Sequence, residues 1–144
     1  SALETRLNPG KFPHVLRKSA QLRVLVVDDE PLIRWSLTEA LIDRGYEVAG
    51  VGDARSATDA CAGAREPFDV VLLDLRLPDS SDLGLLTRLL ALAPETRFIL
   101  MTAFGTEETL ERALRLGAAD VVHKPFEIGD MLRLVAGTGR TPLC

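Results

Sequence analysis

This sequence of 144 residues has few cysteines, no long apolar stretch and no excess of positive charge. Its two cysteines, Cys61 and Cys144, are too few for a disulfide framework and lack metal-ligand spacing, so we expect one free, half-buried thiol and one tail residue. No apolar run approaches the roughly 18 residues that a membrane span requires. The basic N-terminus also lacks the apolar segment of a secretory signal peptide. These absences favour a reducing, cytoplasmic location and no membrane partner.

The charge is moderately acidic, with a formal net value of −4. Binding to a phosphate backbone needs a basic face, so this balance argues against nucleic acid as a direct partner. Hydrophobic residues make up 47% and charged residues 26% of the chain, which is typical of one globular domain. Residues 1–20 differ, with four basic side chains, one acidic side chain and helix-breaking Pro9, Gly10 and Pro13. We interpret 1–20 as an N-terminal extension or linker; the alternative is a basic arm that contacts a partner.

Short apolar runs alternate with helical patterns from residue 22 to about residue 136. Three runs, VLVV, VVLL and FILM, are continuously apolar, as is typical of strands buried on both faces. Apolar residues spaced three and four positions apart predict helices, each with an apolar stripe facing the core. The predicted strands are 22–27, 47–51, 69–73, 97–101 and 120–122. The predicted stripes include Ile33, Leu37, Ala40 and Leu41 in 31–44; Leu110, Ala113, Leu114 and Gly117 in 106–117; and Ile128, Met131, Leu132 and Val135 in 127–136.

Proline and glycine positions agree with this division. Pro31 suits the first turn of a helix, Gly45 and Gly117 suit left-handed residues that close helices, and Pro94 ends the third helix. Five strand-then-helix repeats with right-handed crossovers imply an α/β fold. We predict a doubly wound, five-stranded parallel sheet of order 2-1-3-4-5, in a flavodoxin-like three-layer α/β/α arrangement.

Polar residues follow four of the predicted strands. Strand one is followed by Asp28 and Asp29, strand three by Asp74, strand four by Thr102 and strand five by Lys124. Because parallel strands end at the same edge of a sheet, where open α/β folds bind ligands, we expect these side chains to share one cleft. Each residue alone is more commonly a helix cap, a turn residue or a solvated lysine. Their combination at one edge indicates a chemical site.

The residue types favour phosphoryl transfer to a carboxylate. Three neighbouring carboxylates repel one another unless a cation compensates, and Mg²⁺ binds carboxylates, waters and phosphate oxygens. Lys124 adds a positive charge, Thr102 offers a hydroxyl donor, and the small Ala103 leaves room for an incoming group. One carboxylate could then attack phosphorus while the metal and the cation stabilise the phosphoryl oxygens.

Four segments resemble the signature segments of bacterial response-regulator receiver domains of two-component signalling: VLVVDDEPLIRWSL, DVVLLDLRLPDSS, ILMTAFG and DVVHKPF. The resemblance covers roughly residues 22–136. DLRLPDSSDLGLL is most similar to receivers of nitrogen-regulation-type transcriptional activators, which usually precede an ATPase and a DNA-binding domain. We expect residues 21–137 to be the receiver domain, 138–144 to be a C-terminal tail, and the output domain to be absent here.

The resemblance implies that a sensor histidine kinase phosphorylates Asp74 in a Mg²⁺-dependent reaction. It implies that Asp28 and Asp29 hold the ion, with Asp29 and Asp74 as direct ligands and the backbone carbonyl of Arg76 as a third. Arg76 and Phe104 would flank the water path and tune the phosphate lifetime. The domain would be a switch and not an enzyme, apart from its own phosphorylation and dephosphorylation.

The resemblance also implies that Thr102 binds the transferred group, that Lys124 pairs with it, and that the Lys124–Pro125 bond is cis. Phosphorylation would alter the surface of helix four, strand five and helix five, which could form a homodimer or release an output domain. Receivers commonly have Tyr or Phe three residues before the lysine, where this chain has Val121. We hypothesise that Phe104 or His123 reports the position of Thr102 instead.

Two alternatives remain open on sequence grounds. A Mg²⁺-dependent phosphohydrolase of the haloacid-dehalogenase type would need an acid two residues beyond its nucleophile. Asp74 is followed there by Arg76, which cannot act as an acid, and Asp28 by Glu30, which is a looser match. A receiver-like binding module could signal without phosphorylation. The intact acidic pair, Asp74, Thr102 and Lys124 argue against that module, whereas Val121 favours it.

Overall fold

The computed structural model describes residues 21–137, so the predicted extension 1–20, the tail 138–144 and Cys144 lie outside the described residues. Five strands and five helices alternate along the described chain. The strands are β1 (Arg23–Val27), β2 (Glu47–Val51), β3 (Val70–Asp74), β4 (Arg97–Thr102) and β5 (Asp120–His123). The helices are α1 (Pro31–Asp43), α2 (Ala54–Gly63), α3 (Gly84–Leu92), α4 (Glu107–Leu116) and α5 (Ile128–Ala136).

All four strand pairings are parallel, and the strand order is β2-β1-β3-β4-β5, as predicted. The three central strands are almost completely buried because helices cover both faces of the sheet. Successive strand residues nevertheless point to opposite faces. Leu25 and Val27 pack with α2, α3 and α4, whereas Val24 and Val26 pack with α1 and α5. The fold is therefore the predicted three-layer arrangement with two cores.

The helix ends follow the local sequence signals. Pro31 lies in the first turn of α1, and Gly45 and Gly117 have φ values of +90° and +125°, which favour glycine over residues with a side chain. At the start of α4, the Thr106 hydroxyl accepts a hydrogen bond from the backbone N–H of Thr109. These residues therefore mark the ends of α1 and α4 as the sequence predicted.

The predicted apolar stripes are confirmed in α1 and α5 but only partly in α4. Leu37 and Leu41 of α1 are fully buried, as are Met131 and Val135 of α5. In α4 only Ala113 is buried, and Leu114 is 50% exposed, so its assignment to the core is wrong. The physical reason is that α4 packs against α3 and the edge strand β5, which cover only one row of its side chains.

Two further observations concern the described residues. Cys61 is a free, half-buried cysteine in α2, as expected, and burial raises the pKa of its thiol. Within residues 21–137, every helix is too short or too polar to cross a bilayer.

Candidate functional site

The carboxyl ends of four strands bring the predicted site residues together. Asp28 follows β1 directly, Asp74 and Thr102 are the last residues of β3 and β4, and Lys124 follows β5. The strand register places Asp74 beside Met101 and Thr102 beside His123, so these ends are level across the sheet. Lys124 is held next to the end of β4, because its backbone N–H donates to the carbonyl oxygen of Thr102 at 2.8 Å.

Three carboxylates form one acidic group at this edge. Asp28, Asp29 and Asp74 each place a carboxylate oxygen within 4.8 Å of the others. Asp28 is fully buried and Asp74 is 5% exposed, whereas Asp29 is exposed and lines the cleft with Asp74. Hard oxygen donors at this spacing fit a divalent cation such as Mg²⁺, and the exposed Asp29 side leaves room for its water ligands.

The environment disfavours the charged form of Asp74. Burial and the neighbouring charge of Asp28 raise the pKa of Asp74, and they outweigh the opposing effects of Arg76 and Lys124. The backbone N–H of Arg76 donates to Asp74 Oδ1 at 3.0 Å. A cation at the acidic group would offset this cost, because it favours the ionised carboxylates.

Lys124 is surrounded by carboxylates on three sides. Its Nζ lies 2.9 Å from Asp28 Oδ2, 3.1 Å from Glu30 Oε1 and 3.3 Å from Asp74 Oδ2. Burial alone would lower the pKa of Lys124, but the neighbouring carboxylates of Asp28, Glu30 and Asp74 raise that pKa above its ordinary value. Lys124 is therefore a cation at neutral pH, and its bond to Pro125 is cis, as the resemblance implied.

The residues after β4 form the other wall of the cleft. Thr102 is 4% exposed, and its Oγ1 accepts a hydrogen bond from the backbone N–H of Phe104 at 3.2 Å, which leaves the hydroxyl proton for another acceptor. Ala103 is exposed and lines the cleft. Gly105 permits a close approach, since a Cβ there would lie 2.9 Å from Leu110 Cδ2 and 3.1 Å from Thr102 Cγ2.

The two residues hypothesised to report on Thr102, and Val121 at the usual aromatic position, have different surroundings. The Phe104 ring is 73% exposed, and the Arg76 guanidinium stacks on it at 4.8 Å from the ring centroid. Val121 is half-buried and packs against the core formed with α2, α3 and α4. His123 is exposed at the end of β5. Of the two residues hypothesised to report on Thr102, Phe104 lines the cleft.

Two positioning contacts were not predicted from the sequence. Arg34 Nη1 in α1 donates to the backbone carbonyl of Asp28 at 2.6 Å, and Gly50 and Gly52 of the β2 edge leave the space that its side chain fills. Asp79 accepts hydrogen bonds from two backbone N–H groups at the start of α2. Glu30 was considered only as an acid for a phosphohydrolase, whereas it is paired with Lys124. Its position directly after the acidic pair was the available signal.

The cleft has a volume of about 960 Å³ and opens above Asp74. Apolar and polar side chains share its lining. They include Asp29, Leu32, Ile33, Thr102, Phe104 and Phe126. A phosphoryl group bonded to Asp74 would therefore face Lys124 and Thr102 below a partly apolar entrance.

This arrangement of parallel sheet, acidic trio, hydroxyl and lysine has the residue types that phosphoryl transfer to a strand-end aspartate would need. The chain matches the family described as "Response regulator receiver domain" over residues 24–136, and it belongs to that family. It is thus the receiver domain of a response regulator in two-component signalling, as the sequence resemblance indicated.

Curated relatives include regulators of transcription. The response regulator protein PilR of Pseudomonas aeruginosa is 38% identical over 114 residues, which cover 79% of this chain and 25% of PilR. The DNA-binding transcriptional regulator NtrC of Azospirillum brasilense is 33% identical over 112 residues, which cover 78% of this chain and 23% of NtrC. The similarity to NtrC agrees with the predicted nitrogen-regulation type. The chain spans about a quarter of the length of these relatives.

Solved structures show the same fold. A CheY-like receiver domain protein from Methanospirillum hungatei has a TM-score of 0.76 and 29% identity, covering 82% of this chain and 93% of that chain. A response regulator from Burkholderia pseudomallei was solved with a phosphorylated aspartic acid, a calcium ion and citrate. It has a TM-score of 0.72 and 27% identity, covering 78% of this chain and 65% of that chain.

Proposed function

We propose that Asp74 is the phosphoacceptor of this receiver domain and that a sensor histidine kinase is its phosphodonor. The observation that carries the proposal is the position of the Asp74 carboxylate, which lies within the acidic trio and 3.3 Å from Lys124 Nζ. A carboxylate beside both a cation-binding group and an ammonium suits phosphoryl transfer, because the two positive charges can stabilise the transferred group.

In the proposed reaction an Asp74 carboxylate oxygen forms a bond to phosphorus while the bond from phosphorus to the phosphohistidine nitrogen breaks, and the imidazole leaves with the electron pair. Lys124 and the Thr102 hydroxyl hold the phosphoryl oxygens. Asp28, Asp29, Asp74 and the backbone carbonyl of Arg76 would hold Mg²⁺, which would neutralise charge on the transferred group. Hydrolysis by water reverses the modification, and Arg76 with Phe104 tunes its rate.

The kinase would meet an apolar surface beside the cleft. Leu32 of α1 and Phe104 line the two sides of the cleft, and both side chains are 73% exposed. Exposed apolar groups on both sides of a polar site favour contact with another protein. A histidine kinase that uses ATP also requires the cytoplasmic location expected from the sequence.

The switch is proposed to act through the α4–β5–α5 face. The new charge of about −2 would draw Thr102 toward the phosphoryl group, and Phe104 or His123 would report the change in place of an aromatic residue at Val121. The face would then form a homodimer or release an output domain that regulates transcription, while this domain performs no other catalysis. Structures with and without a phosphoryl mimic test the reporting role, which is wrong if neither side chain moves.

Intact mass measurement after incubation with acetyl phosphate and Mg²⁺ tests the phosphoacceptor. We expect the chain to gain one phosphoryl group, and we expect Asp74→Asn or a chelator to abolish the gain. Asp43→Asn is the matched control, because Asp43 is an exposed residue at the end of α1 and outside the cleft. Absence of the gain in the unmodified chain, or its persistence in Asp74→Asn, contradicts the proposal.

A further inference from the structure

Lys124 is engaged by three carboxylates. Its Nζ donates hydrogen bonds to Glu30 Oε1 at 3.1 Å and to Asp74 Oδ2 at 3.3 Å, and it forms an ion pair with Asp28 Oδ2 at 2.9 Å. A phosphoryl group on Asp74 would add three strongly accepting oxygens and a charge of about −2 next to this ammonium. The new oxygens would therefore compete with the present partners for Lys124.

The three partners differ in what their release involves. Asp28 is fully buried, so losing its cation would leave an uncompensated charge without water. Asp74 carries the phosphoryl group itself and stays close. The Glu30 side chain is 57% exposed, so its carboxylate regains hydration as soon as it leaves Lys124. Glu30 is thus the partner whose release is least unfavourable.

The local backbone explains why Glu30 faces Lys124. Glu30 is the N-cap residue of α1, yet its side chain makes no capping hydrogen bond. Its backbone is held on both sides, since its N–H donates to Asp28 Oδ1 at 2.9 Å and its carbonyl accepts from the Arg34 N–H at 3.0 Å. With the backbone fixed and the cap unused, the carboxylate is free to pair across 94 residues of sequence with Lys124.

We infer that Glu30 is a displaceable counter-ion of Lys124, a positioning residue whose release accompanies the arrival of the phosphoryl group on Asp74. Glu30 holds the ammonium in place before phosphorylation and competes with the phosphoryl oxygens for it. Removing its charge makes Lys124 more available to the phosphorylated state. This inference rests on the proposed function of Asp74.

Beryllofluoride binding at saturating Mg²⁺ tests the inference. We compare the unmodified chain with Glu30→Gln and with Glu39→Gln, which removes the same charge from an exposed position of the same helix. An exposed ion pair corresponds to a change of about two- to fivefold in an equilibrium constant. We expect Glu30→Gln to bind beryllofluoride about two- to fivefold more tightly than both the unmodified chain and Glu39→Gln.

Salt dependence separates this role from a merely structural one. Screening weakens a half-exposed ion pair, so the advantage of Glu30→Gln should shrink when NaCl is raised from about 50 mM to about 0.5 M. Equal affinity of Glu30→Gln and Glu39→Gln, weaker binding by Glu30→Gln, or an advantage that is independent of salt would overturn the inference. If the unmodified chain gains a phosphoryl group from acetyl phosphate, such a result removes only the role of Glu30. If the unmodified chain neither gains that group nor binds beryllofluoride, the proposed function fails as well.

Discussion

The carboxyl group of Asp74 lies at the end of a strand that is buried along its whole length, beside the second buried carboxyl group of Asp28. Its pKa is raised by burial and by Asp28, so the ionised form that attacks phosphorus is the form that the metal-free fold disfavours. Because the pKa is raised, the favourable contribution of Asp74 to the free energy of unfolding is complete below its ordinary pKa. This contribution is lost as the pH rises through the pKa of Asp74 in the folded state. At neutral pH the metal-free domain therefore contains a destabilising charge.

Asp74→Asn should stabilise the metal-free domain at pH 7, because the amide fills the same space without the charge. We expect the melting temperature to rise by roughly 2–5 °C, as a difference of about 1 kcal/mol produces in a domain of this size. The gain should narrow as the pH falls and disappear below about 4, the ordinary carboxyl pKa. Differential scanning calorimetry in the presence of a chelator measures both effects.

Added Mg²⁺ provides the control for that prediction. The ion should raise the melting temperature of the unmodified chain more than that of Asp74→Asn, because the variant has lost one ligand. A lower melting temperature of Asp74→Asn at pH 7 without metal would show that its contact with Lys124 outweighs burial and repulsion.

The guanidinium of Arg76 and the ring of Phe104 form a second contact between individual side chains at the site. Both residues of this stacked pair line the cleft that contains Asp74, and a cation–π contact at an exposed position contributes about 0.5–1 kcal/mol. We expect Arg76→Ala and Phe104→Ala each to shorten the phosphoaspartate lifetime by about two- to fivefold, since either opens the path of water. Loss of the phosphoryl mass after removal of the phosphodonor gives the rate.

A double-mutant cycle tests whether the pair acts as a unit. The combined variant should lose its phosphoryl group about as fast as either single variant, because each substitution already removes the one contact. Additive effects would show that the two side chains act separately.

At the scale of elements, the N-terminus of α2 links the loop after β2 with the loop after β3. Asp53 is the residue directly before α2 and caps it by accepting a hydrogen bond from the backbone N–H of Ser56. Hydrogen bonds from Ser56 also lower the pKa of Asp53. Its stabilising effect is therefore present above the ordinary carboxyl pKa and is lost as the pH falls through the lowered value. Asp79 adds a second cap from the loop after β3, with Oδ1 at 2.8 Å from the Ala54 nitrogen and Oδ2 at 3.1 Å from the Arg55 nitrogen.

Asp79→Ala should lower the free energy of unfolding by about 1 kcal/mol, because two backbone N–H groups at the helix end lose their acceptor. Urea denaturation measures the change. Asp59→Ala is the matched control, since it removes a carboxylate from an exposed position within α2, where alanine favours the helix. An equal loss of stability in both variants would show that the effect comes from removing a negative charge near α2 and not from losing the cap.

The strands and helices also show which parts of the fold the apolar sequence pattern could predict. Continuous apolar runs predicted the central strands, and the stripes of α1 and α5 were correct because both helices pack over the middle of the sheet. The same periodicity in α4 assigned Leu114 to the core, although it is half-exposed. Periodicity reports that a helix has an apolar side; how much of that side is covered depends on the neighbouring elements.

At the scale of the whole molecule, the parallel sheet explains why the site could be predicted. Once five strands are parallel, every residue at a strand end shares one edge, so Asp28, Asp74, Thr102 and Lys124 had to meet. The contacts of Arg34, Asp79 and Glu30 could not be derived in this way. Each depends on the direction of a side chain in a loop or first helical turn, and on a partner brought close only by the complete fold.

The exposed leucines of α4 lead to a prediction about assembly. Leu114 is an exposed residue of α4, one of the three elements of the α4–β5–α5 face that we propose to pair with a second copy after phosphorylation. Leu114→Glu should prevent the beryllofluoride-dependent dimer in sedimentation velocity experiments, because pairing would bury an uncompensated carboxylate. It should leave phosphorylation of Asp74 unchanged, since Leu114 does not line the cleft.

Leu92→Glu is the matched control for this variant. Leu92 is an exposed leucine at the end of α3, outside the proposed face, so the same substitution there should leave dimerisation intact. A dimer that persists in Leu114→Glu, or one that Leu92→Glu disrupts instead, would place the contact elsewhere on the domain. Because Asp74 lies on β3 and Leu114 lies on α4 outside the cleft, phosphorylation and assembly can be measured separately in the same variant.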